Sequence, residues 1–270
     1  MRYPAVAGSF YPKHEDDLKA AIEDAFESKL GPGYIPTLDP EGPRTLKGYI
    51  NPHAGVTYSG PVSAHTFAAM AKDGFPETLV IIGPNNHALG PLVATTNQEF
   101  LMPMGKVKVD LEIVEKIERR VPVNHDAHSL EHCIEVQLPF IQYLAPETKI
   151  VPIVMIDQTY DTAFNLAAIL TEACKGRDVA YLATTDFSHY VPAETAKEQD
   201  MKIIDRILNF DVPGVIDTVT SNKITMCGYG PVMTAMLASG AQSAELLRYA
   251  TSGDVCEMKD VVGYASLIMK

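Results

Sequence analysis

The sequence is poor in cysteine and contains no CxxC pair. Its four cysteines, Cys133, Cys174, Cys227 and Cys256, are far apart along the 270-residue chain. A small disulfide-stapled fold needs a dense cysteine framework, which this spacing does not provide. We therefore expect reduced thiols in a cytoplasmic protein.

Positive charge and long apolar runs are also scarce. Lys and Arg number 22 against 34 Asp and Glu, for a net charge of −12. Sequence-independent binding to nucleic acid, or to an anionic membrane surface, needs a basic surface that this balance does not supply. No run approaches the twenty apolar residues that span a bilayer, and proline interrupts the short apolar stretch near the N-terminus, which argues against a signal peptide. We expect neither nucleic acid nor a membrane as a partner.

What the sequence does contain is an alternation of strand-like and helix-like segments. With 46% hydrophobic and 21% charged residues, the chain can bury a sizeable core. Such alternation predicts a single α/β domain over residues 1–270, with a mainly parallel central sheet and helices on both faces. We predict strands within 46–51, 78–84, 149–156, 178–186, 244–251 and 261–269, and helices within 14–30, 61–74, 110–120, 160–176, 194–210 and 231–240.

Three predicted strands are each followed by a histidine. His53 follows the first strand, Asn85, Asn86 and His87 follow the second, and Asp186, Ser188 and His189 follow the fourth. Ligands of open α/β sheets bind outside the carboxyl ends of the strands. If these strands are neighbours, the polar side chains converge on one pocket.

Cys227 stands just before a predicted helix. A helix N-terminus lowers the pKa of a thiol and favours the metal-binding thiolate, although a lone cysteine is also commonly a small buried hydrophobe. Together with His53 and His87 it would form a mixed nitrogen and sulfur set suited to zinc, iron(II) or copper, with an open position for water or substrate. Asp186 is either a fourth ligand or an acceptor that orients an imidazole. His189 is the acid/base candidate, because imidazole exchanges protons near neutral pH.

Residues 128–132, HSLEH, fit the H-x-x-E-H pattern of an inverted zinc metalloprotease. That reading requires a continuous helix with both histidines on one face, and a third acidic ligand downstream. The alternative is that these histidines serve a site whose metal is held elsewhere.

Six segments occur in an order that resembles the Memo family and cover nearly the whole chain: RYPAVAGSFYP, NPHAGVTYSG, GPNNHALG, EHCIEVQLPF, TTDFSHY and TMCGYGP. That family in turn resembles the class III extradiol-type non-haem iron dioxygenases. The resemblance implies their α/β fold, metal ligands at His53, His87 and Cys227, and a pocket containing Asp186 and His189. Glu131 and His132 would match an Asp–His pair that lines the dioxygenase pocket outside the set of metal ligands.

Two positions depart from the family pattern. Val56 stands where an aromatic residue commonly follows Pro-His-Ala-Gly, so an aromatic wall at that spot would be lost. Asn86 replaces the first member of a histidine pair, which leaves His87 as the sole candidate ligand there. Since competing ligands lie at the strand ends, we favour His132 as a pocket residue, with His125 and His128 as ordinary loop or helix-surface residues.

Three functions follow as hypotheses. The first is metal-dependent redox chemistry with dioxygen or superoxide, with iron(II) as the expected metal and copper and zinc as the alternatives; His189, Asp186 and His132 would be its catalytic residues. The second is a non-catalytic module whose vestigial pocket binds a phosphorylated or acidic peptide. The third is a zinc-dependent hydrolase that uses the same residues with a bound water. In each case the ligand is a small molecule or a peptide.

Overall fold

The computed structural model describes all of residues 1–270 and contains ten helices, ten strands and one 3₁₀ turn at Glu135–Gln137. The helices are α1 Glu15–Glu27, α2 Val56–Asp73, α3 Leu111–Ile117, α4 Asp126–Ser129, α5 Leu138–Leu144, α6 Tyr160–Ala173, α7 Ala193–Leu208, α8 Val212–Asn222, α9 Tyr229–Ser239 and α10 Ser252–Val255. The strands are β1 Gly48–Asn51, β2 Thr78–Pro84, β3 Val93–Thr95, β4 Phe100–Met102, β5 Gly105–Val107, β6 Lys149–Met155, β7 Val179–Thr184, β8 His189–Val191, β9 Ala244–Thr251 and β10 Val261–Met269.

The central sheet has four parallel strands at its heart, in the order β6-β2-β7-β1. Antiparallel β3 flanks β6, antiparallel β10 flanks β1, and both β8 and β9 pair with β10. Strand β2 is buried along its whole length, as expected for a parallel strand covered on both faces. The prediction of a single α/β domain with a mixed, mostly parallel sheet flanked by helices is confirmed.

Helices cover both faces of the sheet because its crossovers run in opposite directions. The connection β1-α2-β2 moves towards β6, whereas β6-α6-β7 moves back, so right-handed crossovers put α2 and α6 on opposite faces. Helices α1 and α5 pack with α2, and α8 and α9 pack on the α6 side. On the α2 side Phe67 stacks on Phe140 with 4.9 Å between ring centroids, and Phe26 meets Phe140 edge-on at 5.7 Å.

The sequence prediction differs from the structure mainly at boundaries and short elements. Helix α2 begins at Val56, not at residue 61. The predicted start placed Pro61 in the first helical turn, which proline favours, but here Pro61 lies inside the helix. Packing explains the earlier start, because Ser59 and Gly60 are buried and a Cβ on Gly60 would lie 3.4 Å from the Cβ of Ala25 in α1. The short strands β3, β4, β5 and β8 and the helices α4, α5, α8 and α10 were not predicted.

The topology brings the carboxyl ends of β1, β2 and β7 to one edge of the sheet. Strand β7 lies between β1 and β2, so the loops that begin at Pro52, Asn85 and Thr185 are neighbours. The chain runs from β1 into α2 and from β7 through β8 into α7. No helix in the molecule combines the length and the apolar character needed to cross a bilayer.

The aromatic contact between α2 and α5 should be a main source of stability on that face. Phe140→Ala removes a fully buried ring and leaves a cavity, so the free energy of unfolding should fall by about 3–5 kcal/mol. Phe164→Ala is the matched control: the Phe164 side chain is 52% exposed, and its removal should cost less than about 0.5 kcal/mol. Urea unfolding followed by circular dichroism measures the free energy of unfolding of both variants. Equal losses of stability in the two variants would contradict a special role for the Phe140 contact.

Candidate functional site

The predicted strand ends do converge on one pocket. A cavity of about 510 Å³ opens at the carboxyl edge of the sheet, and its polar lining includes His53 from the β1 loop, Asn86 from the β2 loop and Asp186 from the β7 loop. His189, His132 and Cys227 complete the reactive lining. Five of the six predicted site residues therefore share this pocket, and the sixth, His87, is adjacent in sequence to Asn86.

Two potential metal donors of the pocket, on His53 and Cys227, face each other. The Nδ1 of His53 lies 3.0 Å from Thr184 Oγ1, which leaves Nε2 facing Cys227 Sγ at 3.4 Å. Two ligands of a tetrahedral metal, with bonds of about 2.1 Å to nitrogen and about 2.3 Å to sulfur, lie about 3.6 Å apart. This pair therefore fits two neighbouring positions around one metal ion.

His53 is held in its neutral form. Burial, followed by the nearby His132 ring, lowers the pKa of His53 to about 3. The two rings lie 5.5 Å apart between centroids, in an edge-to-face arrangement. A neutral imidazole retains the lone pair that a metal or a proton donor would use.

Cys227 is fixed by the backbone around it. The Asp186 backbone N–H donates to Cys227 Sγ at 3.2 Å, and Gln158 Nε2 donates to the Cys227 carbonyl at 2.8 Å. Gly228 permits this close approach, because a Cβ there would lie 2.5 Å from the Thr184 carbonyl oxygen. Burial and the Asp186 carboxylate raise the pKa of Cys227 well above its ordinary value, which is opposite to the lowering expected at a helix N-terminus.

Asp186 connects the two donors. Its Oδ1 accepts a hydrogen bond from the His53 backbone N–H at 2.8 Å, so the carboxylate holds the His53 loop and receives no imidazole N–H in this structure. Burial raises the pKa of Asp186 despite that hydrogen bond. Whether its remaining lone pairs bind a metal stays a prediction.

His189 is oriented for proton exchange. Its Nδ1 lies 2.8 Å from the Thr225 carbonyl, and a carbonyl only accepts, so Nδ1 carries the proton and Nε2 has a free lone pair. The backbone N–H of His189 also donates to Thr225 Oγ1 at 2.7 Å. Ser188, which precedes it, instead points into the protein and donates to Asp200 in α7.

His87 is the one predicted ligand that the structure leaves outside the pocket. It is exposed on the loop after β2, and no three His, Cys, Asp or Glu side chains come together in a metal-binding arrangement. The structure therefore assembles two members of the predicted three-residue set. The complete set stays a prediction.

The H-x-x-E-H segment does not have the geometry of a zinc protease. Helix α4 ends at Ser129, before Glu131 and His132, so the two histidines do not share a continuous helix. His128 was expected on the surface, but it is 2% exposed, and the buried Arg2 side chain donates from Nε to its carbonyl. His132 lines the pocket as predicted, and His125 is an exposed residue that contacts Thr96.

The segment that follows, Glu131–Gln137, holds the loops around the pocket. Glu135 accepts hydrogen bonds from the Ala5 and Val6 backbones and pairs with Arg2, which anchors the N-terminal segment. Gln137 accepts a hydrogen bond from Asn51 Nδ2, at the end of β1, at 2.7 Å, and its Nε2 donates to the Pro52 carbonyl, at the start of the loop, at 2.8 Å.

An apolar wall of the pocket was not predicted from the sequence. Val56 is buried in the core, but other chain segments supply aromatic and thioether groups: Phe10, Tyr58, Tyr190, Met258 and Tyr264. The Phe10 ring centroid lies 4.8 Å from that of His132. Phe10 and Tyr58 lie in segments that resemble family motifs. Met258 and Tyr264 carry no sequence signal: Met258 lies in the loop before β10, and Tyr264 lies in β10 opposite Ala250 of β9.

Comparison with known proteins identifies the family. The family model described as Memo-like protein matches residues 2–268. This chain belongs to the Memo family. It is 44% identical over 277 residues to a MEMO1 family protein of Methanothermobacter thermautotrophicus, with 99% of each chain covered. It is also 42% identical to a MEMO1 family protein of Methanopyrus kandleri, over 100% of this chain and 99% of the relative.

A solved structure agrees with the Memo fold described above. The crystal structure of an uncharacterized protein from Escherichia coli K12 aligns with a TM-score of 0.56 at 12% identity, over 83% of this chain and 99% of that chain. At this identity the likeness concerns the fold alone.

The burial of His53 predicts how the free energy of unfolding depends on pH. Since its pKa is about 3 in the folded protein against an ordinary value of 6.5, the unfolded chain binds more protons between those values. The contribution of His53 to the free energy of unfolding is therefore full above about pH 6.5 and decreases as the pH falls towards about 3. Histidine side-chain ¹H–¹⁵N NMR of the metal-free protein should show His53 neutral over this range. The same residue in urea should titrate near its ordinary pKa, and protonation of folded His53 near that value would contradict the account.

Proposed function

We propose that this pocket binds a redox-active metal and supports metal-dependent oxidation or reduction of a small molecule. The observation that carries the proposal is the 3.4 Å separation of His53 Nε2 and Cys227 Sγ, beside the buried Asp186 carboxylate and at the base of an open cavity. His53 and Cys227 would hold the metal, and His87 would supply the third donor from the adjoining loop.

The donor chemistry sets the choice of metal. Imidazole and thiolate suit zinc, copper and iron, whereas magnesium and calcium require oxygen ligands. We propose iron(II), with copper and zinc as the alternatives that the first experiment separates. When bound, iron or copper supplies one-electron chemistry with dioxygen or superoxide.

The surrounding residues would then handle protons and the ligand. His189 holds its proton at Nδ1 against the Thr225 carbonyl, so its Nε2 can accept a proton from a bound molecule. His132 provides a second imidazole, packed against Phe10. The apolar wall formed by Tyr58, Met258 and Tyr264 would exclude water and contact the carbon skeleton of a small molecule.

Two features weigh against the alternatives. No Lys or Arg lines the pocket and Asp186 does, so the electrostatics do not favour capture of a phosphorylated or acidic peptide. The broken helix at Ser129 removes the support for a protease, although a zinc hydrolase at the strand ends would use the same residues. We place the protein in the cytoplasm, in agreement with its four free cysteines.

Elemental analysis of protein purified anaerobically from metal-sufficient cells tests the proposal. The wild type should carry near-stoichiometric iron. Cys227→Ser and His87→Ala should each weaken binding by more than the about 10- to 100-fold that is typical when a residue outside the ligand set is lost. His128→Ala is the control, since this buried histidine lies outside the pocket, and it should retain the metal.

The pattern of losses separates the hypotheses. Zinc in place of iron would favour a hydrolase, and absence of metal from the wild type would contradict metal-dependent chemistry and favour a binding module. Loss of metal in His128→Ala, with retention in Cys227→Ser, would return the assignment to the H-x-x-E-H segment.

A further inference from the structure

We propose that Glu131 is a positioning residue that latches the loop carrying His87 to the pocket. The inference rests on the proposed metal site, because the role of Glu131 would be to hold His87 beside His53 and Cys227. Glu131 is not itself offered as a ligand. Its carboxylate is 3% exposed and is fully engaged in hydrogen bonds to backbone and side-chain groups.

Two of these hydrogen bonds grip the β2 loop at the residue before His87. The backbone N–H of Asn86 donates to Glu131 Oε2 at 2.6 Å, and Asn86 Nδ2 donates to Oε1 at 3.0 Å. One carboxylate therefore fixes both the backbone and the side chain of Asn86. The sequence separation of 45 residues makes this a tertiary clamp, which only the folded chain can form.

The other contacts fix the carboxylate itself. The backbone N–H groups of His132 and Cys133 donate to Oε1 at 2.8 and 3.0 Å, so the side chain folds back on its own segment. His132 Nδ1 lies 3.4 Å from the same oxygen, which favours the tautomer with the proton on Nδ1 and a free Nε2. Burial raises the pKa of Glu131, but the His132 ring and these hydrogen bonds outweigh it, so its pKa lies below the ordinary value.

The loop after β2 has a strained backbone that needs support from contacts outside it. Ala88 has a φ of 51°, in the left-handed region that non-glycine residues rarely adopt. Within the loop, Asn85 Nδ2 donates to the Leu89 carbonyl at 2.7 Å and closes the turn around His87. Strained backbone of this kind persists when surrounding contacts over-determine it, and Glu131 supplies the contacts from outside the loop.

The test compares Glu131→Gln with Asp73→Asn. With the amide oxygen of the substituted side chain at the Oε1 position, its NH₂ group would face the Asn86 N–H, so that hydrogen bond is lost at nearly constant volume. Asp73 is a matched control: it is a 5% exposed carboxylate that accepts hydrogen bonds from Thr45 N, Thr45 Oγ1 and Leu46 N, just before β1 at the opposite edge of the sheet.

Two readouts are made on each protein. Co²⁺ titration, followed by the thiolate-to-cobalt absorption band, measures the affinity of the site. Amide hydrogen exchange at Asn86 in the metal-free protein measures the latch, because the Asn86 N–H donates to Glu131. Glu131→Gln should weaken Co²⁺ binding by about 10- to 100-fold and accelerate exchange at the Asn86 amide. Asp73→Asn should change neither.

Each other outcome has a definite meaning. Unchanged affinity and exchange in Glu131→Gln, or equal changes in the two variants, would overturn the positioning role. If the wild type binds no Co²⁺, the proposed metal site fails, and exchange at Asn86 still decides whether Glu131 holds the loop. Faster exchange with unchanged affinity would show that the loop is released but supplies no ligand, which also overturns the proposal.

Discussion

The pocket depends on buried acceptors in one short segment, Glu131–Gln137, which reach three separate parts of the chain. Glu131 binds the loop after β2, Glu135 binds the N-terminal segment, and Gln137 binds the loop after β1. Burying a carboxylate costs several kcal/mol unless it is paired and hydrogen-bonded. Because Glu131 and Glu135 are satisfied only when these loops are docked, folding of the core and assembly of the pocket are coupled.

This constraint divides the site into rigid and adaptable parts. His53 and Cys227 are held through Thr184, Asp186 and Gln158, which lie at the ends of the parallel strands or in the loops that follow them. His87 lies exposed in a tight turn, held next to the pocket through its neighbour Asn86. A ligand set with two fixed members and one loop-borne member would couple metal binding to the ordering of that loop.

The positions of His53, Asp186 and His189 could be predicted because parallel strands deliver the residues that follow them to one edge of the sheet. The prediction needed only strand boundaries and the neighbouring order of β1, β7 and β2. The burial of His128 could not be predicted, since its surroundings include Arg2, 126 residues away in the sequence. The positions of Met258 and Tyr264 could not be predicted either, because they depend on the path of the chain through the loop before β10 and through β10 itself. The pKa of Cys227 was predicted in the wrong direction, because burial and Asp186 outweigh the nearby helix terminus.

The central claim is that the thiolate of Cys227 and the imidazoles of His53 and His87 bind one metal ion. X-ray absorption spectroscopy of the iron-loaded protein tests it most directly, because sulfur and nitrogen scatterers are distinguished in the first coordination shell. The account predicts one sulfur and two imidazole nitrogens around the metal, with the sulfur contribution absent from Cys227→Ser. A first shell of nitrogen and oxygen alone in the wild type would contradict it.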